Sequence, residues 1–213
     1  MSEDVTNTWI EKAEAPGKET GLTGLNFSAA GQVEEEYDPN LVGRKGIENY
    51  KLMRDGDPTV GAILFTIDML VRQVEWRVDP FDGEGGNDED VEFLDGCMND
   101  MTQSWGDLVS EIMSMIVFGW SFHEIVYKKR QGYQKPGGSL PSSRYNDGKV
   151  GWHKIPIRGQ ESLDSWGFDD NGGLKEFVQK PPPKNEEIRI PMEKGLLFRT
   201  TTYKNNPEGR SML

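Results

Sequence analysis

The chain has 213 residues, 35% of them apolar, and a formal charge of -12. That length supports one large domain or two small ones, burying roughly 70% of the unfolded surface. The charge excludes a general nucleic-acid binder, which needs a basic stripe to displace counterions from phosphates; it admits basic protein partners, or DNA that slides past without sticking.

Residues 1–40 read as a flexible acidic arm rich in Glu, Gly, Thr and Ala, where Trp9, Ile10, Leu22, Leu25 and Phe27 are apolar and no periodic face emerges. Trp9 with Ile10 is its candidate anchor in a partner's pocket, because aromatic residues concentrate binding energy. Residues 41–213 read as the folded domain. Ile47, Tyr50 and Leu52 or Met53 support a short helix over 46–54. A stronger start follows, where Asp57 can cap and Pro58 fits the first helical position. Val60, Ile63, Leu64, Ile67, Leu70, Val71 and Val74 then draw one face over four turns, and the alternation at 74–78 predicts a strand.

The stretch 81–90 (FDGEGGNDED) is a glycine- and acid-rich loop whose oxygen ligands miss the spacing of an EF-hand. Val91, Leu94, Met98 and Met101 predict a helix over 89–101, with Cys97 beside them as a core thiol. From Trp105 the apolar residues Leu108, Val109, Ile112, Met113 and Ile116 fall at steps of three and four, which predicts a helix over 105–118 closed by Gly119. Trp120 onward is aromatic and β-branched, as in a strand, with Lys128, Lys129 and Arg130 as its exit into water. Trp105, Leu108, Ile112, Ile116, Trp120 and Phe122 are the expected packing centre. Residues 131–147 form a long loop, mobile or in contact with something. Beyond Lys149 the chain reads as an antiparallel meander, with strands at 150–157, 162–168, 174–179, 188–190 and 195–201. Asp169-Asp170-Asn171-Gly172-Gly173 supplies a hairpin turn, and Pro181-Pro182-Pro183 ends a strand for want of N–H donors. Ser211-Met212-Leu213 looks like the opening of a helix. The whole is an α+β fold of amphipathic helices packed on a mostly antiparallel sheet.

The catalytic inventory is thin. His123 and His153 sit in similar settings, Phe-His-Glu-Ile and Trp-His-Lys-Ile, and strand pairing could bring them together. A zinc site would still need a third ligand, and Glu124 falls on the opposite face of the strand from His123. There is no P-loop and no Gly-x-Ser-x-Gly elbow, so no metal and no cofactor is expected. The lone Cys97 excludes an internal disulfide. No run of about 18 apolar residues and no signal-peptide pattern at Met1 occurs. Of the six tryptophans, Trp105, Trp120 and Trp152 are the expected packing anchors.

The succession of segments 50–80, 105–130 and 148–174 resembles the Mu-like family of phage portal proteins. So do Pro191–Arg199 and the Asn205-Asn206-Pro207-Glu208-Gly209 turn, with the Phe-Gly-Trp-Ser junction at 118–121 among the matching features. The resemblance implies an α+β wing domain over 41–213, with stem and clip helices expected after a helix beginning near Ser211. It also implies a structural subunit without catalytic residues: a homo-oligomer, typically a dodecameric ring, located in the virion at one capsid vertex after assembly in the host cytoplasm. Its partners would be major capsid or scaffold proteins, the terminase motor and neck or adaptor proteins. DNA would pass through the ring without sequence specificity, and no membrane is involved. The rival readings are a capsid-associated binding module and a metal-dependent hydrolase using His123 and His153.

Overall fold

Helix starts in this chain follow local capping chemistry. The computed structural model describes residues 38–81, 87–135, 138–202 and 204–213, so Trp9, Ile10 and residues 82–86 of the 81–90 loop lie outside the described residues. Asp38 caps a 3-10 turn at Pro39–Leu41, and α1 (Gly43–Gly56) follows, longer than expected, burying Ile47 and Tyr50. Asp57 Oδ1 accepts from the Thr59 N–H at 2.7 Å and starts α2 (Pro58–Arg72) where the Asp-Pro pair predicts it. Asn87 caps α3 (Asp88–Asn99), whose first turn holds Asp88, Glu89 and Asp90, the sign a helix N-terminus favours. Ser104 caps α4 (Trp105–Ile112).

Two expected elements differ. The helix predicted over 105–118 breaks after Ile112 and resumes as α5 (Met115–Phe118), because the Ser114, Ile116 and Val117 amides bond carbonyls only three residues back, at 3.0–3.2 Å. No strand forms at 74–78. No other strand lies alongside it among the described residues, and Trp76 instead sits edge-on to Trp105 with ring centroids 6.1 Å apart.

The strands are β1 (Trp120–Glu124), β2 (Val126–Lys129), β3 (Val150–Lys154), β4 (Ile157–Arg158), β5 (Leu163–Phe168), β6 (Leu174–Gln179), β7 (Ile188–Pro191) and β8 (Gly195–Arg199). All pairings are antiparallel, in three small sheets ordered β4-β1-β8, β2-β3 and β5-β6-β7. The single strand expected over 150–157 is split at Ile155-Pro156, and its partner is split at Ile125. Pro156 has no N–H to continue a ladder. The result is one long hairpin bent at its middle, with each arm serving a different sheet. The β5-β6 hairpin closes at the predicted turn, where Asp169 Oδ1 accepts from the Asn171 and Gly173 amides at 2.9 and 2.7 Å.

The core joins sheets. Trp120 and Phe122, two residues apart and so on one face of β1, meet Trp166 of β5, Phe177 of β6 and Ile190 of β7. Phe122 stacks on Phe177 at 4.6 Å and 14°, while Trp120 and Trp166 both turn edges or tilted faces toward them. A second cluster joins Ile47 and Tyr50 of α1 to Val117 and Phe118 of α5. Of the expected packing centre, Leu108, Trp120 and Phe122 are buried, while Trp105, Ile112 and Ile116 are half-buried. Among the expected anchors Trp152 is also half-buried, whereas Trp166, not singled out, is 2% exposed.

The apolar face drawn on α2 is only partly used. No α2 residue is fully buried, and Ile63 and Leu70 are 55% and 61% exposed. Val60, Leu64, Ile67 and Val71 are the half-covered side.

Phe177 is fully buried, so Phe177→Ala should cost about 3–5 kcal/mol of unfolding free energy in a denaturant titration. Ile112→Ala, at a half-buried site, should cost less than about 2 kcal/mol. Equal losses at the two positions would contradict this division of the core.

Candidate functional site

The helix-to-strand junction at Gly119 is the point on which several distant segments converge. Gly119 has φ of 85°, and its N–H donates to Met115 O at 2.7 Å, the left-handed cap that lets the chain turn out of α5 into β1. A Cβ here would lie 2.5 Å from the Glu208 carbonyl oxygen and 3.0 Å from the Arg210 backbone. The crowding arises because residues 205–213 run back across the junction as a strap. Met212 N–H donates to Ile116 O at 3.0 Å and the Ser211 hydroxyl to Val117 O at 2.6 Å. Thr200 N–H donates to Gly119 O at 3.0 Å, and Arg199 reaches Asn206 O at 2.9 Å. Residues 211–213, which resemble a helix opening in sequence, form no helical turn; Leu213 packs on the Ile47 cluster.

A buried polar brace holds the far end of the bent hairpin. Lys128 and Arg130, expected in water, are 4% and 3% exposed. Lys128 Nζ lies 2.9 Å from Asp100 Oδ2 and donates to the carbonyls of Asp100 and Ser142. Asp100 also accepts from the Arg144 N–H at 2.8 Å and the Ser143 hydroxyl at 2.6 Å. Desolvation pushes the Asp100 carboxyl up, but the Arg144 amide, Ser143 and Lys128 together hold it below its ordinary value. Arg130 lies over the rings of Tyr145, at 3.8 Å, and Phe93, at 5.0 Å, and pairs with Asp147 at 3.0 Å. These charges are buried because each has a partner. The same contacts tie much of the 131–147 loop to its own chain.

The two histidines are not brought together. His123 is on β1 and His153 on β3, in different sheets, and neither is the other's register partner. His123 is fully buried. Its Nδ1 lies 3.3 Å from Ile155 O and 4.0 Å from Glu111 Oε2, and its Nε2 has no hydrogen-bond partner. Burial pushes its imidazole down, which leaves it neutral at pH 7. Glu111 is already engaged by Gln103 Nε2 at 2.8 Å and the Ile157 amide at 3.2 Å. Burial, with Lys128 and Lys154 nearby, also pushes His153 down. Among the described residues no group of three or more His, Cys, Asp or Glu side chains is arranged to hold a metal ion.

Two charged groups that matter here escaped the reading by residue type. The Asp100–Lys128 pair spans 28 positions, a separation no helix or strand period marks. Glu208 looks like an ordinary turn residue, yet its Oε1 accepts from Trp166 Nε1 at 3.1 Å and burial pushes its carboxyl up to about 7. The arrangement braces a junction.

Lys128→Ala leaves Asp100 buried and uncompensated, so it should cost about 3–5 kcal/mol in chemical denaturation. For Glu208, a folded pKa raised above the unfolded value near 4.5 contributes stability below that value and loses it as pH rises through about 7. Glu208→Gln should therefore raise stability at pH 8 by on the order of 2 kcal/mol, with the difference vanishing near pH 4. A difference that stays constant with pH would mean a solvated carboxyl.

The sequence family whose model matches this chain is described as the portal protein of Mu bacteriophage, and the match runs over residues 47–213. No curated protein matches the chain. Among solved structures, a chain of the virion of a native gene transfer agent particle superposes with a TM-score of 0.50 and 12% identity, over 77% of this chain and 38% of its own. A chain of the neck of an empty gene transfer agent particle, computed with C6 symmetry, superposes with a TM-score of 0.53 and 11% identity, over 85% and 42%. The chain thus spans less than half the length of either, and at such identities the likeness is one of fold. With residues 47–213 matched by that family's model, the chain belongs to the Mu bacteriophage portal protein family.

Proposed function

We propose that the chain is a structural subunit of a dodecameric portal ring at one capsid vertex, forming the wing around a channel through which the genome enters and leaves. The observation that carries this reading is the family match over 47–213, which takes in the elements from α1 to the strap. The similar chains come from the virion and the neck of gene transfer agent particles, the neck computed with C6 symmetry. In this role the subunit docks the packaging motor on one side and neck proteins on the other, within a capsid shell. Two properties of the chain support it. A net charge of -12 keeps a wall from holding phosphates. The junction, strap and buried brace make a domain whose parts are fixed to one another across long sequence separations, as a shape-holding component requires.

The reading is tested on phage particles that carry this chain. Gold-conjugated antibodies against residues 41–213, applied to partly opened particles, should label a single vertex. Labelling spread evenly over the shell would overturn it, as would recovery of the chain only outside the particle.

A further inference from the structure

The strongest unexplained feature is the outward side of α2. Across Pro58–Arg72 the charged residues are Asp68 and Arg72, and both engage α4. The Ser110 hydroxyl of α4 donates to Asp68 Oδ1 at 2.7 Å, and Arg72 lies 3.9 Å from both Asp68 and Asp107. On the other side, Ile63, Thr66 and Leu70 succeed one another at steps of three and four, beside a parallel row of Ala62, Phe65 and Met69. Ile63, Phe65 and Leu70 are 55%, 64% and 61% exposed, and Val74 and Trp76 just past the helix are 54% and 52% exposed. A helix apolar on all sides is ordinarily a buried one.

These five side chains present on the order of 500 Å² of apolar surface, beyond the few hundred that a monomer usually leaves in water. That is more than half of the roughly 800 Å² that one partner contributes to a standard stable interface. Leu52 and Met53 at the end of α1 are exposed as well.

Charge selects the occupant. Two copies of a chain with net charge -12 repel one another, so a contact between them costs least on a surface without carboxylates, and the outward side of Pro58–Arg72 has none. A basic partner drawn by the overall charge would seat instead on acidic surface such as the first turn of α3. DNA needs cations that this side lacks. Among the described residues no helix is long and apolar enough to cross a membrane.

We infer that Ile63, Phe65 and Leu70 of α2, with Val74 and Trp76 beyond its end, form the face through which one subunit docks on a second copy of the chain. This inference rests on the ring reading and deepens it by naming a contact. A ring requires heterologous contacts, so the α2 side of one copy meets a different surface of the next.

The test is the paired substitution Phe65→Glu with Leu70→Glu in the full chain, with Tyr127→Glu on the exposed side of β2 as the control for added charge. Sedimentation and light scattering over a range of concentrations should show self-association of the wild type and the control. Self-association of the double variant should be weakened at least tenfold, with an unchanged circular dichroism spectrum. Should the glutamate pair unfold the protein, Phe65→Ser with Leu70→Ser carries the same expectation. Wild-type association of either folded double variant would overturn the inference, and so would a wild type that stays monomeric throughout. Single-vertex labelling of particles is read separately: if it persists while either of those results is obtained, the contact is wrong and the portal reading stands.

Discussion

The stack of Phe122 on Phe177 is the contact on which the other sheets depend. It places β1, at the end of the helical half, against β6, in the middle of the meander, at 4.6 Å between nearly parallel rings. Trp120 and Trp166 close over it, so four aromatic rings from three strands exclude water from the space between two sheets. Among the described residues none of the three sheets has more than three strands. Sheets of that size are marginal alone and become stable by packing a hydrophobic face on another element. Removing either ring of the stack therefore opens a void at the contact between the two sheets.

Around this stack the chain fixes its own geometry with polar contacts at the ends of the bent hairpin. One end is the Gly119 junction, crossed by the strap and anchored through Thr200 and Ser211. The other is the Asp100–Lys128 pair with Ser143 and Arg144. Buried ion pairs add little net stability compared with apolar packing, but a broken one is costly, so they penalise alternative arrangements. In the proposed ring, where each subunit repeats one shape, that penalty would be useful. Glu208 works the other way: burial beside the Trp166 indole pushes its carboxyl up to about 7, so ionising it opposes the seating of the strap.

The distribution of charge and apolar surface bears on assembly. The chain is strongly acidic overall, whereas α2 keeps its two charges on the side facing α4 and leaves uncharged side chains outward. An apolar helix in a chain this polar is costly to leave in water. In the docking proposed above, covering this side by a second copy would remove that cost.

Neighbouring residues along the chain were enough to set the caps, turns and breaks. Asp57-Pro58 begins α2, Gly119 ends α5, and the Asp169–Gly173 turn closes the β5-β6 hairpin, each through contacts spanning no more than four residues. The order of such pieces was also enough to carry the family resemblance. What the spacing could not tell is which side of α2 is covered, that Lys128 and Arg130 are buried, that two predicted strands bend into different sheets, or that His123 and His153 stay apart. Each of these depends on a group tens of positions away, such as Asp100 for Lys128, Tyr145 for Arg130 and β8 for β1. Periodicity reports which side of an element is apolar; only packing decides whether anything lies against it. A cationic side chain reads as solvent-exposed until the tertiary structure brings a carboxylate to it, and that pairing has no signature in local sequence.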